Sequence, residues 1–215
     1  MHMNLDSIEK GRSNFVNGMD EPHPKIVLLG WGSLLWDKRP EFDEHHGLWQ
    51  FDGPELPLDF SRISSTRNGA LTLVIDNANG ALCRSAYALS ARRNPDDAIE
   101  DLRRREGTDK RYVGFFFRDG TRCGQPPVPD SIRLWADHRG IDVVAWTALP
   151  SNFKEITGHS FSVQNAIRQM QSLPADVKPS AAEYVWRAPD FVTTPLRTAL
   201  QAQPWFAPPG PGTGA

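Results

Sequence analysis

The sequence has few cysteines. Cys83 and Cys123 are its two cysteines among 215 residues, and they form no C-x-x-C pair. Two cysteines in a chain of this length argue against a disulfide framework. A structural zinc site needs four ligands at short spacing, and the sequence shows no such set. We therefore expect each cysteine to be a small buried side chain.

The sequence also lacks long apolar runs and an excess of charge of either sign. Lys and Arg number 24 and Asp and Glu 26, so the formal net charge is −2. This balance gives no electrostatic drive toward nucleic acid or anionic membranes. No apolar run approaches the roughly 20 residues that span a bilayer, and residues 1–24 lack the apolar segment of a secretion signal. We expect a cytoplasmic protein without nucleic-acid or membrane partners.

Hydrophobic periodicity predicts an α+β protein, because strands come first along the chain and helices gather later. Residues 1–24 are predicted to be a flexible arm, and the Pro- and Gly-rich residues 204–215 a disordered tail. The stretches 70–75 and 82–89 are predicted to pair as a hairpin across the turn at Asn77–Gly80. The other predicted strands cover 25–29, 112–117 and 143–149, and the predicted helices 95–105, 162–173, 180–185 and 195–201.

A glycine-containing loop directly follows the first predicted strand. It reads Gly30-Trp31-Gly32-Ser33-Leu34-Leu35-Trp36. Two glycines let the backbone take positive φ and approach a ligand closely, and successive N–H groups there can form an anion-binding nest. The loop lacks the third glycine of G-x-G-x-x-G and the Lys-Ser/Thr pair of a P-loop. A tight turn whose tryptophans only pack explains the spacing equally well.

A carboxylate ends the helix predicted over 95–105. Glu106 is followed by Gly107, which is typical of a helix C-cap, and on this reading Glu106 is solvated or paired with a nearby arginine. An acid is unfavourable at the negative end of the helix dipole. Its position therefore needs a local reason, and a catalytic site is one such reason.

Taken together, the two segments resemble the γ-glutamylcyclotransferase superfamily. The loop is similar to the G-Y-G-S-L-x-W form of the glutathione-directed branch, with Trp31 where that branch usually has Tyr. About seventy residues later the family has a leucine-containing helix ending in Glu-Gly and then an aromatic, which correspond here to Glu106-Gly107 and Tyr112. The resemblance covers roughly residues 25–150. Residues 151–203 are then a C-terminal helical extension.

The resemblance implies a small, strongly curved mixed β-sheet, nearly a barrel, with helices around it. It also implies that a γ-glutamyl amide cyclises to 5-oxoproline and releases an amine or peptide, without metal or organic cofactor. Glu106 is the implied acid/base. The implied substrate contacts are Gly30, Trp31, Gly32, Ser33, Leu34, Trp36 and Tyr112.

Two departures from the family keep alternatives open. Trp31 removes a phenol hydroxyl, and an arginine among Arg103, Arg104 and Arg105 that paired with Glu106 would lower its pKa. We expect these arginines to face solvent, because three consecutive residues cannot share one helix face. The alternative functions are a catalytically inactive binding module on the same fold and a scaffold whose extension docks a partner protein.

Two other features of the sequence could form sites. His45 and His46 stand next to acids, but adjacent histidines seldom both reach one metal ion, and a solvated loop is favoured. Arg62 and Arg67 can each hold a substrate carboxylate through a bidentate contact, although exposed arginines are the common case.

Overall fold

The structure, a computed structural model, describes residues 23–124 and 127–208. Within these ranges the strands are β1 (Ile26–Gly30), β2 (Glu55–Ile63), β3 (Leu71–Ile75), β4 (Ala81–Arg84), β5 (Ala86–Leu89), β6 (Val113–Phe117) and β7 (Val143–Thr147). The helices there are α1 (Pro40–Asp43), α2 (Pro95–Glu106), α3 (Asp130–Arg139), α4 (Phe153–Thr157), α5 (Val163–Ser172), α6 (Lys178–Trp186) and α7 (Pro195–Gln201). Short 3-10 turns cover Ser33–Leu35 and Lys110–Tyr112.

These strands form two sheets, and the protein is α+β as predicted. The first sheet has the order β5-β1-β7-β6 and is mixed, because β1 and β7 are parallel and its other neighbours antiparallel. The second is antiparallel, with the order β3-β2-β4. Only Ser85 separates β4 from β5, so the chain passes there from one sheet into the other. No hydrogen-bonded ladder among the described strands closes the two sheets into a barrel.

The predicted hairpin of 70–75 with 82–89 is wrong. β2 lies between β3 and β4 and pairs with both. The side chains of Leu56, Leu58 and Phe60 on β2 alternate inward and are fully buried, which makes this strand the centre of its sheet. Pro57 obscured β2 in the sequence, because proline is disfavoured in a central strand.

The four predicted helices are confirmed as α2, α5, α6 and α7. Three of them begin at a side chain that accepts a hydrogen bond from a backbone N–H of the first turn. These caps are Asn94, Ser162 and Thr194. The short helices α1 and α4, and α3, were not predicted.

The helices of the extension share one hydrophobic core with the strands. The larger cluster of buried side chains contains Leu58 of β2 together with Val185 of α6 and Leu200 of α7. Packing continues to Phe206, which is buried and accepts a hydrogen bond from Trp186 Nε1 at 3.1 Å. Residues 209–215 of the predicted tail and 1–22 of the predicted arm lie outside the described residues.

The cysteine prediction is half right. Cys83 on β4 is buried, as expected. Cys123 is exposed, because it lies in the surface loop after β6, where its backbone forms an isolated antiparallel β-bridge with Phe116. None of the helices in the described part of the chain is long and apolar enough to cross a membrane.

Candidate active site

A cavity of about 480 Å³ joins the two segments that the sequence singled out. The loop after β1 contributes Trp31, Gly32, Ser33 and Leu34, and the end of α2 contributes Arg105, Glu106 and Gly107. The remaining wall comes from the β2–β3 hairpin, the end of β7, the loop after the 3-10 turn and α6. It consists of Asp37, Arg39, Arg62, Ser64, Thr66, Arg67, Thr72, Leu73, Val74, Thr147, Leu149 and Tyr184.

The loop needs its two glycines for close packing. Neither glycine has positive φ, and that part of the prediction is wrong; φ of Gly32 is −132°. A Cβ at Gly30 would lie 2.9 Å from the Trp49 ring, and one at Gly32 would lie 3.0 Å from the Tyr184 hydroxyl. Larger residues at these positions would displace the rings that shape the loop.

The loop has two backbone donors without an acceptor among the described residues. The carbonyls of Gly32 and Ser33 accept hydrogen bonds from Leu35 and Asp37, which curls the chain into a 3-10 turn. The N–H groups of Ser33 and Leu34 have no acceptor within the described residues. Two adjacent donors of this kind can hold a carboxylate or a developing oxyanion.

Glu106 reaches the cavity because it lies on the buried face of α2. It follows Ile99 by seven positions and Leu102 by four, and both of these are buried. Gly107 ends the helix in the left-handed conformation with φ of 58°. The Glu106 side chain is 18% exposed, and it accepts no hydrogen bond from any described residue.

Burial raises the pKa of Glu106 above its ordinary value. Arg105, whose Nη1 is 4.0 Å from Oε1 of Glu106, acts against this shift, as does Arg39. The Asp37 carboxylate adds to the rise by repulsion. A carboxylate in this state holds its proton more readily than a solvated one and is a stronger base once ionised.

The expectation that the three arginines face solvent is wrong for Arg105. Its side chain is 4% exposed and donates to the carbonyl of Ser33 at 3.3 Å and to that of Asp37 at 2.9 Å. It also pairs with the Asp37 carboxylate at 3.2 Å. Helix geometry explains this position, because Arg105 follows the buried Leu102 by three residues. Arg105 thereby ties the end of α2 to the glycine loop.

The other two arginines are directed away from Glu106. Arg103 and Arg104 both donate to the Glu100 carboxylate at 2.8–2.9 Å. Their exposed fractions are 33% and 71%, so both keep contact with solvent as expected.

The extension contributes Tyr184, which the sequence did not indicate as a site residue. It lies on α6, and its hydroxyl accepts a hydrogen bond from Leu73 N at 3.3 Å. Burial raises the pKa of this phenol. Its ring contacts Phe60 and Trp36 edge-on. No local pattern marks it, because the hydrogen-bond partner is 111 positions away in the sequence.

The charged groups of the cavity wall favour an anionic ligand. Four arginines and two carboxylates line it, which leaves a surplus of 4 − 2 = 2 positive charges. The wall also contains Thr147 Oγ1, a buried hydroxyl with no hydrogen-bond partner in the described ranges.

Three predicted contact residues lie outside the cavity wall, and their roles stay predictions. Gly30 packs under Trp49. Trp36 lies against Tyr184, with ring centroids 6.0 Å apart. Tyr112 lies in the turn before β6, where Arg111 covers its ring at 4.8 Å.

No arrangement of three or more His, Cys, Asp and Glu side chains in the described residues could hold a metal ion. Comparisons of the chain with protein-family models, with curated proteins and with solved structures find no match.

Proposed function

We propose that this protein is a γ-glutamylcyclotransferase-type enzyme. It would cyclise a γ-glutamyl amide to 5-oxoproline and release an amine or peptide. The observation that carries the proposal is the Glu106 carboxylate, which has a raised pKa and no hydrogen-bond partner among the described residues, in the same cavity as the Gly32–Leu34 loop.

One carboxylate is enough for this reaction. The α-ammonium group of the substrate loses a proton to Glu106, and the freed amine nitrogen then forms a bond to the γ-carbonyl carbon. Glu106 gives this proton to the leaving nitrogen and takes the second proton from the attacking nitrogen, so that the γ C–N bond breaks, the carbonyl re-forms and a neutral amine leaves. Glu106 loses the second proton to solvent when the products depart. Nucleophile and carbonyl belong to one molecule, so little entropy is lost in bringing them together.

The loop and the arginines supply the complementary charge. The N–H groups of Ser33 and Leu34 are suited to the α-carboxylate of the glutamyl group or to the oxyanion of the intermediate. Arg105 is neutralised by Asp37, which limits its lowering of the Glu106 pKa. No step requires a cofactor.

The proposal includes the near-barrel fold of the family. The passage from β4 into β5 at Ser85 supports it, because one continuous stretch of chain then belongs to both sheets. It also includes a cytoplasmic location and a small γ-glutamyl compound as the partner.

The test is release of 5-oxoproline from a panel of γ-glutamyl compounds, glutathione included. We expect product from the wild type and a fall of about 10²-fold or more for Glu106→Gln, since general acid–base catalysis contributes about that much. The exposed Glu41 provides a control, because Glu41→Gln removes the same charge outside the cavity. Full turnover by Glu106→Gln would exclude Glu106 from the mechanism.

The alternative is a binding module that keeps the fold without the chemistry. The short distance from Arg105 to Glu106 and the presence of Trp31 favour it, since both weaken the case for a catalytic base. It predicts thermal stabilisation by γ-glutamyl compounds with no product from any of them.

A further inference from the structure

Arg67 is an arginine of the cavity wall with unused hydrogen-bonding capacity. It lines the same wall as Glu106, and its guanidinium makes no hydrogen bond or ion pair with any described residue. The other arginines of the wall are occupied: Arg62 donates to the carbonyl of Pro150 at 2.7 Å, whereas Arg39 and Arg105 both pair with Asp37. A guanidinium offers five N–H donors in a planar fork that matches a carboxylate.

Arg67 is held in place before any ligand binds. Its guanidinium carbon lies 4.2 Å from the centroid of the Tyr184 ring, a cation–π contact. Its backbone belongs to the tight turn between β2 and β3, where Ala70 N donates to the Arg67 carbonyl at 3.0 Å. Gln169 of α5 donates to Gly69 of the same turn at 3.2 Å. A pre-organised donor loses less entropy when it binds.

The position of Arg67 separates it from the glycine loop. The Tyr184 hydroxyl points to Gly32, where a Cβ would lie 3.0 Å from it, whereas Arg67 covers the face of the ring. The Arg67 guanidinium and the glycine loop therefore lie against different parts of Tyr184, the ring face and the hydroxyl. Tyr184 is close enough to both charges for each to shift its pKa, Arg67 downward and Glu106 upward.

We infer that Arg67 binds a second carboxylate of the substrate, on the part that leaves as the amine. The substrates would then be γ-glutamyl amino acids and peptides, rather than γ-glutamyl amines. The inference rests on the proposed function for the orientation of the substrate. The positive surplus of the cavity supports it, because a glutamyl group that carries both its α-carboxylate and its α-ammonium is neutral overall and leaves both surplus charges uncompensated.

The test compares γ-glutamylglycine with γ-glutamylglycinamide, which differ only in the terminal carboxylate. We expect the wild type to prefer the acid by about 10- to 100-fold in kcat/KM, as for a charge-assisted hydrogen-bonded pair. Arg67→Gln should lose this preference because kcat/KM falls much more for the acid than for the amide, and Arg67→Lys should recover part of it. Arg133→Gln is the matched control, because Arg133 lies over the Phe116 ring at 4.9 Å outside the cavity.

Calorimetry on Glu106→Gln, with and without Arg67→Gln, separates this inference from the proposed function. Suppose that Glu106→Gln binds the acid more tightly than the amide, that Arg67→Gln abolishes this difference, and that the wild type forms no 5-oxoproline. The carboxylate subsite at Arg67 would then stand, and the proposed enzymatic activity would not. Equal loss for acid and amide in Arg67→Gln would overturn the inference, because Arg67 would then hold the glutamyl group. Product without discrimination between acid and amide would also overturn it.

Discussion

At the scale of residues, the decisive feature is that two neighbouring side chains at the end of α2 face inward. Arg105 and Glu106 follow the buried Leu102 by three and four positions, so the apolar stripe of the helix continues into charged residues. Arg105 is compensated by Asp37 and by two carbonyls, whereas Glu106 has no hydrogen-bond partner in the described part of the chain. Burial of a carboxylate without hydrogen-bond donors makes its ionised form less stable.

Glu106 should therefore reduce the stability of the protein at neutral pH. In the unfolded chain its pKa is near 4.5, and burial raises it in the native state. As pH rises through the window above 4.5, the unfolded state loses its proton first. The unfolded state then binds fewer protons, and the free energy of unfolding falls. We expect Glu106→Gln to unfold at higher urea concentration than the wild type at about pH 8.

The difference between the two proteins should shrink as pH falls and vanish below the unfolded pKa, because Glu106 is then protonated in both states. Glu41→Gln, at an exposed position, controls for the loss of one negative charge. A Glu106→Gln protein that is less stable than the wild type at about pH 8 would contradict the burial of a carboxylate that accepts no hydrogen bond.

At the scale of elements, the boundary of α2 places the carboxylate. Gly107 adopts φ of 58° as the C-cap, and its N–H donates back into the last turn of the helix. A Cβ added there would meet no atom within 4 Å, so only the backbone conformation requires glycine. The left-handed conformation costs an L-residue about 1–2 kcal/mol, and less for asparagine.

Gly107→Ala should lower the free energy of unfolding by about 1 kcal/mol, and Gly107→Asn by less. Urea unfolding monitored by circular dichroism measures both. Alanine at Gly140, the C-cap of α3 with the same φ of 58° and equally open surroundings, is the matched control and should cost a similar amount. Equal stability of wild type and Gly107→Ala would show that α2 ends differently in solution.

At the scale of the whole molecule, the extension is part of the core. Leu196 and Leu200 of α7 are fully buried in the cluster that also contains the inner face of β2. Tyr184 of α6 completes the cavity wall from the same side. The extension therefore contributes to both stability and the candidate site, and its removal would expose the core.

Leu200→Ala should cost about 2–5 kcal/mol of unfolding free energy, as large-to-small core substitutions do. Strands and extension should still unfold in one transition, seen both by far-ultraviolet circular dichroism and by tryptophan fluorescence. Leu134→Ala is the control, because Leu134 also lies on a helix but is 70% exposed. Two separate transitions, of which only one responds to Leu200→Ala, would show that the extension folds independently.

Four of the helices (α2, α5, α6 and α7) and the glycine loop could be predicted from the sequence because their signals are local. The caps at Asn94, Ser162 and Thr194, the spacing of apolar residues and the C-cap Gly107 each act within one or two turns. The same spacing also marks Arg105 as buried, although its charge favoured the opposite expectation. The predicted hairpin of 70–75 with 82–89 was wrong because strand pairing joins residues far apart in the chain. In the structure β2 lies between β3 and β4 and pairs with both.

Local signals in the sequence are enough to predict the α+β class, the helix that ends at Glu106 and the glycine loop, since each follows from neighbouring residues. The folded structure was needed to show that these two segments meet in one cavity, that Arg105 faces inward to Asp37 and that Arg67 has no hydrogen-bond or ion-pair partner among the described residues. The same holds for Tyr184, which completes the cavity wall. These are contacts between residues far apart in the chain, and they form because burial of the shared core brings their elements together.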